Sequence, residues 1–369
     1  MKKKRINSLY IHIPFCRKLC PYCDFSKLIL NKRFEDLYIK QLLKDLSSVE
    51  DEFFKFNTIY IGGGTPSCLS NDNLVLLLSR IAKIKKNSTE FTIEANPEDI
   101  DDEFLSTLKL FGVNRISIGI QTFDNKILDS IGRNYHLNFN NLINEVKSFI
   151  PNINLDLIYG LPGYSQSILK NDLNKFFELK VNHASFYSLI VSPGTFFYNN
   201  GIKEDDQDKS RNYYDYILLE MRKHGFERYE VSNYSKPNYE CKHNLNYWRN
   251  GEYVAIGLGS SGFVGNKRYI NTKNFSEYID GINNQEIEYL TIKTLEEYYL
   301  LTNLRLNIGF DLNEYNKIFK KDFLIVFKNS IKQLLKYSLI NISSNRFFCT
   351  DKGLIILDYV LTELFKDVN

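Results

Sequence analysis

Three cysteines fall within eight residues in Cys16-Arg-Lys-Leu-Cys20-Pro-Tyr-Cys23, directly after the short apolar run Leu9–Ile13. A loop this tight can wrap its three sulfurs around one small inorganic object. The number of thiols is the informative part. A structural zinc site takes four ligands in a closed tetrahedron. A cuboidal [4Fe–4S] cluster has four irons, so three thiolates leave one iron open to a ligand other than protein. The loop reads first as the holder of an open [4Fe–4S] cluster. Zinc with a remote fourth ligand, disulfides and inert buried thiols stand as alternatives. Of the six cysteines, three are clustered and three scattered, which is no secreted disulfide framework.

This Cys-x3-Cys-x2-Cys loop resembles the signature of the radical S-adenosylmethionine (SAM) superfamily. The resemblance implies that the amino and carboxylate groups of SAM chelate the open iron. It also implies that an electron passed through the cluster can cleave the sulfonium to a 5′-deoxyadenosyl radical.

The rest of the chain alternates strands with helices. Strands are expected at Leu9–Ile13, Thr58–Ile61, Phe91–Glu94, Arg115–Ile120, Ile153–Tyr159 and Ala184–Ile190. Helices are expected at 33–46, 73–84, 102–110, 137–149 and 165–177. Such alternation argues for a parallel sheet covered by helices, and near-continuous apolar strands fit the fully covered case. Unusual chemistry follows nearly every strand: the cysteine loop, Gly62-Gly63-Gly64-Thr65-Pro66, Glu94-Ala-Asn96-Pro97, Gly119-Ile-Gln121, and Asp156 before Gly160-Leu-Pro162-Gly163. Polar side chains at the carboxyl ends of parallel strands mark the active face of a (β/α) barrel. The pattern breaks near Val191 after six units, so the fold class is α/β with an incomplete, three-quarter (β/α)6 barrel, as in the radical SAM superfamily.

Three regions are expected: 1–200 as the partial barrel, 201–284 as an aromatic and glycine-rich extension, and 285–369 as a small tail domain. The tail reads as helix (295–304), helix (322–337), hairpin (339–349) and a closing helix N-capped by Thr350, which resembles a winged-helix module. Hydrophobic content of 43% and aromatic content of 14% can fill a core. Net charge of +3, with one basic cluster at Met1–Arg5, gives no basis for nucleic-acid binding. No run reaches the ~18 apolar residues of a membrane span, and Ile6–His12 is too short and polar for a signal-peptide core. The expected compartment is the cytoplasm.

A SAM site needs acceptors for an amine, a cation for a carboxylate, an acid or amide for the ribose and a slot for adenine. Glycines at 62–64 let backbone approach a ligand closely. Glu94 and Gln121 end strands, and Asp156 lies in the next one. Arg133 can fork onto a carboxylate with two parallel hydrogen bonds, which Lys cannot copy. Each residue also has an ordinary reading as a tight turn, a solvated strand end or a helix-capping arginine.

The resemblance narrows further. Tyr10-Ile-His-Ile-Pro-Phe-Cys16, Gly62-Gly-Gly-Thr-Pro66, Glu94-Ala-Asn-Pro97, Ser117-Ile-Gly-Ile-Gln121, Ile131-Gly-Arg133 and Asp156-Leu-Ile-Tyr-Gly-Leu-Pro162 follow one another as in the oxygen-independent coproporphyrinogen III oxidase family. That family comprises the HemN group and its HemW relatives. The resemblance implies cluster ligands at Cys16, Cys20 and Cys23. It implies SAM contacts at Tyr10, Tyr22, Gly63, Gly64, Thr65, Glu94, Gln121, Arg133 and Asp156.

Two departures separate the subgroups. The oxidases carry a fourth cysteine two residues after the third, where this chain has Phe25. They also have a long N-terminal extension, whereas 15 residues precede Cys16 here. His243-Asn244-Leu-Asn-Tyr247-Trp248 matches the His-Asn-x-x-Tyr-Trp motif of the HemW group, described as heme chaperones. An imidazole can ligate heme iron, and Tyr247 and Trp248 offer flat apolar surfaces. The plain alternative is a core histidine hydrogen-bonded under an aromatic cluster.

The reading is a heme carrier with a [4Fe–4S] cluster and SAM, which delivers heme to an acceptor hemoprotein and touches a membrane, if at all, only through that acceptor. A radical SAM oxidoreductase acting on coproporphyrinogen III or a related tetrapyrrole, and a non-radical zinc module, remain alternatives. The stretch around Tyr247–Phe263 is the expected partner surface.

Overall fold

The computed structural model describes residues 6–49, 56–135, 137–282 and 284–368. The basic cluster at Met1–Arg5 and His136 lie outside the described residues. Six parallel strands run in chain order: β1 (Ser8–Ile13), β2 (Phe56–Gly63), β3 (Lys85–Ala95), β4 (Arg115–Gln121), β5 (Ile153–Tyr159) and β6 (His183–Ser188). Helices α1 (Lys32–Ser47), α2 (Asn71–Ala82), α3 (Asp102–Leu110), α4 (Asn125–Ser130), α5 (Phe139–Phe149) and α6 (Gln166–Glu178) fill the crossovers. The sheet stays open. Antiparallel β7 (Glu227–Arg228) and β8 (Asn233–Ser235) extend it beyond β6, and β9 (Val254–Ile256) pairs in parallel with β1 at the other edge. This is the incomplete (β/α)6 barrel expected from the sequence, with additional C-terminal helical elements.

Side chains alternate strictly along the strands. Leu9, Ile11 and Ile13, Ile59 and Ile61, Ile116, Ile118 and Ile120 face the helices and are fully buried. The opposite face is polar. There Asp156 accepts from Ser117 Oγ at 2.8 Å and Asn154 Nδ2 at 2.9 Å, and Asn154 Oδ1 meets His183 Nδ1 at 2.6 Å. The expectation of near-continuously apolar strands therefore needs refining: both faces are covered, but the inner one encloses a hydrogen-bonded polar lumen.

The segment after Gly225, which has no readable period, supplies β7, β8, β9 and helix Lys242–Trp248. That helix lies across the amino ends of the strands. Its first N–H groups, on Lys242 and His243, donate to Glu90 of β3 at 3.0 Å each, so a buried carboxylate satisfies the helix terminus. Ala255, Ile256, Leu258 and Phe263 are buried. The stretch expected to form a partner surface is thus turned mainly into the protein, because its strand completes the sheet edge.

Residues from Tyr299 onward build a second core around Phe310, Tyr315, Phe323 and Phe347. The expected helix at 322–337 is two helices, Phe323–Val326 and Lys328–Lys336, broken at Phe327. A helix at Leu312–Phe319, capped by Asp311, precedes them, and Phe310–Asp311 adds a third strand to the hairpin. The expected closing helix is also two: Thr350 caps Asp351–Ile355 by accepting from Gly353 N–H, and Leu357–Phe365 follows after a break at Ile356. Arg228 ties this module to the sheet through Asp351 at 2.6 Å and Asn307 at 3.0 Å.

Candidate cluster and cofactor site

The carboxyl ends of β1–β6 surround a cavity of about 500 Å³ that continues down the lumen to Arg115 and Asn244. Cys16, Cys20 and Cys23 line its mouth, with Tyr22, Gly63, Gly64, Thr65, Glu94, Gln121, Arg133 and Asp156. One expected contact stands apart. Tyr10 is directed to the His12 ring, its hydroxyl 3.0 Å from Nδ1, and is not part of the cavity wall.

The cysteine loop leaves β1 through Phe15 and Cys16 and is fastened on several sides. Arg17 Nε donates to Asp99 Oδ1 at 2.6 Å, and Ser67 Oγ donates to Asp99 Oδ2 at 2.9 Å. Thr65 Oγ1 donates to Cys16 Sγ at 3.5 Å. Burial pushes the Cys16 and Cys23 thiols up, so without a cation beside them they stay protonated. Among the described residues, no three His, Cys, Asp or Glu side chains converge as ligands of a single ion. Cys16, Cys20 and Cys23 nonetheless all border the one cavity. Asp99→Asn should leave initial iron content unchanged but speed cluster loss to a chelator roughly fivefold, the equivalent of ~1 kcal/mol. Decay of cluster absorbance checks this.

Gly63 and Gly64 border the cavity, and packing between strands gives a further reason for glycine there. A Cβ on Gly63, whose φ is +118°, would lie 2.5 Å from the His12 ring, and one on Gly64 would lie 2.7 Å from the Phe15 carbonyl oxygen. The glycines let the end of β2 pack against the exit of β1, which brings both strands' loops to one cavity. Gln121, at φ +67°, ends β4 beyond a register shift between Gly119 and Gln121. A strained non-glycine residue at a cavity edge is a recurrent mark of a functional position.

Arg133 is drawn inward rather than capping a surface helix. One terminal nitrogen donates to Asn96 Oδ1 and to the Gly119 carbonyl, both at 2.9 Å, while its buried Nε has no partner. Glu94 accepts from the Tyr60 hydroxyl at 2.7 Å and from Gly63 N–H at 3.0 Å. Burial, reinforced by the charge of Asp156, pushes its carboxyl up to about 7 against these two bonds. An unpartnered guanidinium edge, a carboxyl titrating near neutrality and Asp156 fit a zwitterionic ligand with an added cationic centre.

His243 sits in the plug helix and is 1% exposed. Its Nδ1 meets Thr58 Oγ1 at 2.8 Å, its Nε2 meets the Tyr247 hydroxyl at 2.6 Å, and its ring stacks on Tyr60 at 5.2 Å. Burial holds its imidazole down at about 3. This is the arrangement of a core histidine, and iron ligation would require Nε2 to give up Tyr247. Trp248 lies under the Arg305 guanidinium at 4.5 Å, with its indole N–H buried and unpartnered.

Residues 10–176 match the radical SAM superfamily. Over its full length the chain is 38% identical to the protein named heme chaperone HemW of Lactococcus lactis, covering 98% of each. The chain belongs to the HemW group of the radical SAM superfamily. The heme chaperone HemW of Bacillus subtilis is 34% identical, with 95% of this chain and 97% of that protein covered. Coproporphyrinogen III oxidase (HemN) from Escherichia coli shares the fold, with a TM-score of 0.85 at 21% identity over 98% of this chain and 90% of that one. For a HemW-group chain the family-level cofactors are a 4Fe–4S cluster and SAM.

Several residues that shape this HemW-group site were not singled out from the sequence. Asn96 orients Arg133, Asp99 anchors the loop, and Tyr60 holds Glu94. Asn96 lies within a motif that was read, and Tyr60 follows the period-two pattern Thr58, Tyr60, Gly62 along β2. Asp99 has no local signal, since its partner is 82 residues away.

Proposed function

We propose that this chain carries heme to an acceptor hemoprotein, with a [4Fe–4S] cluster and SAM bound in the lumen cavity. The full-length match to proteins named heme chaperones carries the reading. The site chemistry is consistent with it. Cys16, Cys20 and Cys23 would hold the cluster, whose open iron would supply one-electron chemistry to SAM. Arg133 would bind the SAM carboxylate, while Glu94, Gln121, Asp156 and Tyr22 would contact the remaining groups. Thr65 tunes Cys16, and the Gly63–Gly64 turn shapes the wall.

Phe25 occupies the position where the oxidases have a fourth cysteine and is 62% exposed at the cavity mouth. Ile190 beside the same mouth is 68% exposed. Together they give the mouth apolar surface and no thiol chemistry. Heme would engage the His243–Trp248 segment, with Tyr247 yielding Nε2 of His243 to iron. The regions 1–200, 201–284 and 285–369 are assigned to the partial barrel, the motif-bearing extension and the winged-helix-like tail. No helix among the described residues is long and apolar enough to cross a membrane, and we assign the chain to the cytoplasm.

The reading is tested by incubating the cluster-loaded protein with SAM, a reductant and coproporphyrinogen III, alongside heme transfer to an apo-hemoprotein. Heme transfer with no protoporphyrinogen formed is expected. Stoichiometric decarboxylation would replace the carrier with an oxidase.

A further inference from the structure

Arg115 opens β4, is 2% exposed and ranks among the largest buried side chains. It lines the inner end of the lumen cavity beside Asn244. Its Nε is buried without a hydrogen-bond partner. Among the described residues it forms no ion pair within 4.0 Å. Two carboxylates act on it through space: Glu90, already engaged by Lys242 N–H and His243 N–H at 3.0 Å and by Cys241 Sγ at 3.6 Å, and Glu94, held by the Tyr60 hydroxyl and Gly63 N–H. Directly beside Arg115 in the β3–β4 register is Thr92, fully buried, whose hydroxyl also lacks a partner.

Arg115 borders a solvent-connected cavity with the fully buried Thr92 packed beside it, and two adjacent polar groups without hydrogen-bond partners there demand a cause, because burying polar groups unpaired is costly. The guanidinium fork matches a carboxylate in shape and charge. We infer that Arg115, with Thr92 beside it, forms a carboxylate-binding subsite at the floor of the lumen, distinct from the Arg133 edge near the cysteine loop. The carboxylate can come from a propionate side chain of the macrocycle, which rests on the heme reading above, or from a small free carboxylate, which does not. The subsite lies beside the plug helix: Tyr60, which stacks on His243, is also a neighbour of Arg115.

The full chain, Arg115→Gln and Thr92→Val are compared in two measurements. One is the melting temperature in acetate against chloride at fixed ionic strength. The other is binding of iron protoporphyrin IX against its dimethyl ester. The free acid should bind at least about tenfold more tightly than the ester in the unaltered chain, or acetate should raise its melting temperature. Arg115→Gln should abolish whichever effect is seen, and Thr92→Val should weaken it several-fold. A difference between acid and ester identifies the propionate, and an acetate effect alone identifies a small anion. If no porphyrin binds at all, the heme reading fails and the acetate measurement still decides the subsite. If Arg115→Gln does not fold, the unaltered chain and Thr92→Val decide. Indifference of the unaltered chain to acetate and to esterification would overturn the proposal and leave Arg115 balanced through space by Glu90 and Glu94.

Discussion

Arg133→Ala should weaken SAM binding to the cluster-loaded protein by about 100-fold while leaving its iron content unchanged. The magnitude follows from losing two charge-assisted hydrogen bonds of ~1.5 kcal/mol each. Arg133 is pre-set for this role. Asn96 and the Gly119 carbonyl fix one terminal nitrogen, so little side-chain freedom is lost when the remaining edge engages a ligand. Arg133→Lys keeps the charge but not the fork, and should recover only part of the affinity. Equilibrium dialysis with labelled SAM reads both variants. Unchanged affinity in the alanine variant would reduce Arg133 to a strut between β3 and β4.

The second large effect is a pair of opposed pH dependences at Glu94. Its folded-state pKa stands at about 7, raised from 4.5. The folded form therefore keeps a proton that the unfolded chain gives up. The stability contributed by this group is fully present below pH 4.5 and is lost as pH rises to about 7, roughly 3 kcal/mol in all. A bound cation favours the ionised carboxylate, so SAM binding has the opposite sign. Affinity should rise up to about tenfold per pH unit below 7 and level off above it, with proton release on binding. Asp172, pushed up to about 6 by burial, adds a stability loss of the same sign at lower pH. His12, His183 and His243, held down by burial, add a stability gain of the opposite sign as pH rises through 6 to 7, so Glu94 is read from the difference between the unaltered chain and Glu94→Gln. Glu94→Gln should flatten the affinity profile and remove the Glu94 component from the stability profile. Urea melts across that interval, and calorimetry in two buffers of different ionisation heat, provide the check. A pH-independent SAM affinity would remove Glu94 from the ligand's surroundings.

Much of this architecture was legible because its signals are local. Ile153–Tyr159 and Asp102–Leu110 have the same ends in sequence and structure, since periodicity and turn residues bound them on both sides. The cysteine spacing and the polar residues at the strand ends were equally readable. The polar lumen was less so. Apolar runs such as Ile116–Ile118–Ile120 reveal the helix-facing side, whereas Ser117, Asn154 and Ser185 acquire meaning only through partners on neighbouring strands. The segment from 225 to 265 hid its strands because each is two to four residues long, too short to show a period. His243 illustrates the remaining limit. The motif suggested a ligand, but its hydrogen-bond partners Thr58 and Tyr247 lie 185 and 4 residues away, and only the fold brings all three together.

The most direct test of the carrier reading is an anaerobic heme titration of the cluster-reconstituted protein, followed at the Soret band, with His243→Ala in parallel. Saturation near one heme per chain is expected, with the band lost or shifted in the variant. Saturable binding with an unaltered band in His243→Ala would keep the carrier and return His243 to its role in the core. No saturable binding at all would contradict the account.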